Sequence, residues 1–86
     1  MTIVSENVIP GNHGKVFGTN AENRTSLNNI KRAILRIEGI RDVIINEKVF
    51  PTELTVHTRE VVGIKEIQKA AISVGFHLIP KGLFSL

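Results

Sequence analysis

A chain of 86 residues, 42% apolar and 22% charged, is sized for one domain with one core and is too apolar to remain unfolded. It contains no cysteine, which excludes disulfides, thiolate nucleophiles and thiolate-held soft metals. The net charge of +3 is a weak overall pull toward polyanions, so the placement of the basic residues matters more than their sum.

The first thirteen residues alternate only weakly. Thr2-Ile3-Val4 and Asn7-Val8-Ile9 are short extended candidates before Pro10-Gly11 interrupts them, so 1–13 reads as an N-terminal tail or an extra edge strand. This segment lacks the basic start and apolar run of a secretory signal, and no stretch reaches the ~20 apolar residues of a membrane span. The expected location is therefore cytoplasmic, without membrane insertion. Lys15–Thr19 predicts a first strand, followed by a polar loop over 20–24 and a helix that begins near Thr25 or Ser26, both good N-caps. Leu27, Ile30, Ile34 and Ile37 form one buried helical stripe with Ala33 beside it, and Gly39 stands where a helix-ending glycine belongs.

Arg41–Asn46, with Val43 and Ile45 on one face, and Glu53–Thr58, with Leu54 and Val56 on one face, predict two antiparallel strands joined across 47–52. A second helix over 63–74 turns Ile64, Ile67, Ala71 and Val74 inward and closes at Gly75. His77–Pro80 predicts the last strand, with 14–82 as the domain and 83–86 as a C-terminal tail. The predicted class is α+β: a ferredoxin-like βαββαβ sandwich with two helices on one face of a four-stranded antiparallel sheet, in the strand order 4-1-3-2 usual for that fold.

The stretch from Asn23 to Phe76 carries a more specific spacing. Ser26 is followed four residues later by Ile30 and thirteen residues later by Gly39-Ile40; Val43 and Ile45 come next, and then Ile67, Ala70, Gly75 and Phe76. In this spacing the chain resembles the heavy-metal-associated (HMA) domain family of copper chaperones and the N-terminal domains of metal-pumping ATPases. In that family a C-x-x-C loop opens the first helix, and here Asn23 and Ser26 occupy the two cysteine positions, a degenerate motif. Ala21 stands where the family usually has a buried methionine. The resemblance implies the ferredoxin-like fold and a loop shaped for metal transfer. A neutral amide and a neutral hydroxyl in place of two thiolates imply that soft-metal chemistry has been lost, so no cofactor is expected.

The resemblance further implies that Arg24, Thr25, Lys31, Arg32 and Phe76 dock a protein partner, as they would in metal-binding relatives. Arg24, Lys31, Arg32, Arg36 and Arg41 lie within eighteen residues and are offset only by Glu38 and Asp42, which suits a partner with an acidic surface. A second candidate surface is the sheet face away from the helices, where the family register places Phe17, Ile44, His57, His77 and Ile79 beside Thr19 and Thr55. A shift of one residue in the first strand would turn Phe17 inward, and Ile3, Val4, Val8 and Ile9 are alternative covers for that patch.

The expected function is thus that of an HMA-like domain without its thiolates, acting as a protein-interaction or regulatory module. The alternative is a metal-binding or metal-transfer protein using His, Asn, Ser or Glu ligands. His57 and His77 are the candidates for such a site, but the strand order sets their backbones roughly 9–10 Å apart. A nucleic-acid-binding domain of the same topology is a second alternative, although Glu53–Thr58 offers no aromatic on which a base could stack, so no nucleic acid is expected. No enzyme is expected: Ser26 has no general base predicted nearby, and no catalytic residue is assigned.

Overall fold

The structure, a computed structural model, describes residues 7–8 and 14–81. Its elements in chain order are β1 (Asn7–Val8), β2 (Lys15–Thr19), α1 (Arg24–Leu35), β3 (Ile40–Asn46), β4 (Glu53–Thr58), β5 (Val62–Gly63), α2 (Ile64–Ser73) and β6 (Leu78–Pro80). The molecule is a small α+β fold with two helices and a four-stranded antiparallel sheet in the order β3-β4-β2-β6; β1 and β5 form a separate antiparallel pair.

The apolar stripe that makes α1 a helix also fixes which side it buries. Leu27, Ile30 and Ile34 face the core, as do Ile64, Ile67 and Ala71 of α2. These side chains share one cluster with Phe17, Val43, Leu54, Val56 and Leu78 from the sheet, and Ile37, Ile45, Val74 and Phe76 pack partly buried against it. At ~1.5–3 kcal/mol for each large apolar side chain taken from water, this cluster is the main term holding the elements together. α1 lies against β3 and α2 against β6, and the two helices touch each other.

α1 ends at Leu35, three residues before the end its stripe suggests, and 36–39 turn back toward the sheet. Gly39 makes that turn at φ +98°, and its carbonyl accepts the Arg59 N–H at 2.7 Å. Here a glycine is required twice over: a side chain would be strained at that φ, and its Cβ would come within 2.6 Å of Glu60.

Two expectations are corrected. Phe17 does not lie on the open sheet face: it is 0% exposed and pairs with Leu54, itself fully buried, so both point into the core. β2 carries an apolar residue on either face, Val16 or Phe17, and the larger ring gains more by burial. The helix cap is Asn23 rather than Thr25 or Ser26. In the first thirteen residues, Asn7-Val8 does form a strand, but it pairs with β5 rather than with an edge of the main sheet, and Val8 is buried in the common core at 2% exposure. Ile3, Val4, Ile9, His13 and the tail at 83–86 lie outside the described residues.

Candidate functional site

The site is built where β2 ends and α1 begins. Asn23 adopts an extended backbone and its Oδ1 accepts the Ser26 N–H at 2.8 Å, while its carbonyl accepts the Leu27 N–H at 3.0 Å. The first turn of a helix leaves its N–H groups without partners, and a short amide at the N-cap satisfies one of them. Asn23 and Ser26 are therefore bonded to each other through a helix cap. Upstream, Thr19 Oγ1 donates to the His77 carbonyl at 2.9 Å and accepts the Ala21 N–H at 3.2 Å, and the His77 N–H donates to Asn20 Oδ1 at 2.9 Å. The two bonds to His77 tie the 19–23 loop to the chain entering β6, and the third closes the loop on itself, with Ala21 buried.

Around this loop lies a groove of about 480 Å³, lined by Gly18–Glu22, Phe50–Thr52, His77, Ile79 and Lys81. Phe50, in the β3–β4 loop beside the cis-bonded Pro51, is 86% exposed, and Ile79 is 64% exposed. Both apolar side chains line the groove and remain open to water there. Lys81 crosses β2 at Gly18 and donates to Glu53 Oε2 at 2.6 Å, which spends its charge inside the molecule. Asn20, Glu22, Thr52 and His77 supply the polar rim.

Basic side chains run from the loop along α1. Arg24, in the first turn, makes a two-pronged ion pair with Glu47, through Nη2–Oε1 at 3.2 Å and Nε–Oε2 at 3.3 Å. The Glu47 carboxylate, first by hydrogen bonding and then by its charge, holds the Arg24 guanidinium above its ordinary pKa. Lys31, Arg32 and Arg36 have no ion-pair partner among the described residues, and Arg41 has only a 4.0 Å contact with Asp42. No acidic residue stands in the first turn of α1. Of the residues expected to dock a partner, Arg24, Thr25, Lys31 and Arg32 thus lie on one helix, while Phe76 is half-buried against the core.

The predicted sheet-face patch is not one surface. Ile79 and the exposed His77 belong to the groove, whereas Ile44, 53% exposed, sits on β3 at the far edge of the sheet. His57 is only 8% exposed, covered on one side by Gly14, and its Nδ1–H donates to Asp42 Oδ1 at 2.9 Å. The two histidines also lie toward opposite ends of β2, since Lys15 pairs with Val56 and Thr19 pairs with Leu78. They do not form one ligand set, and the described residues contain no group of three or more His, Asp or Glu side chains arranged to hold a metal ion. No helix among the described residues is long and apolar enough to cross a membrane.

Sequence reasoning missed two features. The Phe50 wall of the groove had a local signal, Val49-Phe50 inside the β3–β4 connection, although its partners come from two other segments. The His57–Asp42 pair joins adjacent strands and follows from their register, which a β-bulge between Ile40 and Asp42 shifts by one residue. Comparison with family models, with curated proteins and with solved structures finds no match for this chain.

Proposed function

We propose that this chain is a ferredoxin-like, HMA-like domain that works as a protein-interaction or regulatory module without soft-metal chemistry. The observation that carries the reading is the Asn23 cap: at the two positions where the resemblance would place metal ligands, one side chain is spent on the backbone N–H of the other residue. What the same end of the molecule offers instead is an apolar groove with Phe50 on its wall and a helix whose basic side chains are largely uncompensated. That combination suits a protein partner that contributes an apolar side chain and an acidic surface.

Titration of the ¹⁵N-labelled protein with Zn²⁺, Cu²⁺ and, under reducing conditions, Cu⁺ tests this reading. Amide shifts at 20–26 that stay unchanged at several equivalents of each ion are the expected result. Saturable shifts at Asn20–Ser26, or at His57 and His77, overturn it and identify a carrier that uses oxygen and nitrogen ligands.

A further inference from the structure

The two edges of the main sheet are finished differently. β6 is three residues long and ends on Pro80, which has no N–H to offer, so that edge is closed to further pairing. β3 is seven residues long, contains no proline, and among the described residues pairs on one side only, with β4. From Asp42 to Asn46 its register is regular, leaving a row of backbone donors and acceptors along the outer side.

The surroundings of that row select what could fill it. Arg24, Asn28, Lys31 and Leu35 recur at helical spacing along one flank of α1, and the Arg24–Glu47 ion pair fixes this flank on the β3 side, because Glu47 directly follows β3. A strand laid beside β3 would place alternate side chains toward that flank and the others beside the exposed Ile44. The flank carries Arg24, already paired with Glu47, and Lys31, which has no ion-pair partner among the described residues; it has no carboxylate of its own and ends on the part-exposed Leu35. We infer that the open edge of β3 accepts an extended acidic segment of a protein partner as a fifth strand, with a carboxylate toward Lys31 and apolar side chains toward Ile44.

A second copy of this chain is a poorer occupant, since two β3 edges meeting in antiparallel fashion would bring two cationic α1 flanks together. The inference rests on the reading above that the basic side of α1 engages an acidic partner, and it adds where the partner's backbone lies.

The test uses the ¹⁵N-labelled full chain and a blocked heptapeptide of alternating valine and glutamate, with an alternating valine and lysine peptide as control. The expected result is saturable shifts and slowed amide exchange over Ile40–Asn46 with the glutamate peptide alone, weakened by salt. Lys31→Glu should weaken binding by about fivefold, and Lys31→Gln should weaken it less in the same direction, both with otherwise unchanged spectra. Shifts on α1 without slowed exchange in β3 overturn the edge inference and leave the acidic-partner reading standing. Binding at the Phe50 groove alone does the same, while an absence of shifts with either peptide overturns both. Slow exchange in the free protein at the β3 amides that point away from β4 overturns the inference as well, and sedimentation then tells cover by the chain itself from cover by a second copy.

Discussion

Asn23 shows how one side chain can be poor for one chemistry and well suited to another. Its amide oxygen is too hard and too weakly basic to replace a thiolate on a soft ion, yet it is among the best groups for closing a helix start, an exchange worth about 1 kcal/mol. The sequence offered three capping residues within four positions, Asn23, Thr25 and Ser26, and propensity does not rank them strongly. The choice follows from where the buried stripe begins: with Leu27 as its first member, a cap at Asn23 puts Leu27 on the first intrahelical hydrogen bond. Replacing both positions together, Asn23→Cys with Ser26→Cys, should cost about 1 kcal/mol of stability without metal through loss of the cap. It should also bind Cu⁺ more tightly than the parent, because the new thiolates would sit at the positive end of α1. Competition with a chromophoric Cu⁺ chelator measures this; a folded double variant that competes no better than the parent removes the metal-site geometry from the resemblance.

The elements that read most directly from the sequence were those whose pattern matches their burial. β2 and β4 begin and end where alternation and turn residues place them, and the inward residues of α2 are those of its stripe. The shorter α1 has a physical cause in the Arg36–Gly39 turn, where Ile37 leaves the helix yet stays half-buried against the core, so its periodicity extends the apparent helix. β1 and β5 were not legible as a pair, because two residues carry too little pattern to announce a partner more than fifty positions away. The glycines that end the helical segments should differ under substitution. Gly39 and Gly75 both have positive φ, at +98° and +94°, but a Cβ at Gly39 meets Glu60 and Val62 whereas one at Gly75 meets nothing within 4 Å. Gly75→Ala should therefore cost about 1–2 kcal/mol from backbone conformation alone, and Gly39→Ala more. Urea midpoints of the two variants compare them directly, and a Gly39→Ala midpoint at or above that of Gly75→Ala contradicts the packing around Gly39.

Across the whole molecule, one core supplies the stability and one end supplies the candidate site. A chain of this size is stabilised by about 4–13 kcal/mol in total, so a single core truncation is a large fraction of it. Phe17→Ala should lose about 3–5 kcal/mol, while Phe50→Ala and Ile79→Ala should stay within about 0.5 kcal/mol. Denaturant unfolding of the three variants separates an inward Phe17 from one on the open face, where its truncation would cost no more than that of Ile79. The class of the fold was readable because both helix stripes and the strand alternation called for one sheet and one core. The groove was not, since its lining is gathered from 18–22, 50–52 and 77–81, segments that meet only once the sheet is assembled.

The small pair that Asn7-Val8 makes with Val62-Gly63 also bears on how the chain reaches this state. It ties together residues separated by almost two-thirds of the sequence, so forming it early would require closing a loop of more than fifty residues for a few hydrogen bonds and the burial of Val8. Most of that closure is already achieved once the hairpin of β3 and β4, its partner β2 and the start of α2 are in place. Given that loop-closure cost, the clip should form after the main sheet and seal the core near the start of α2.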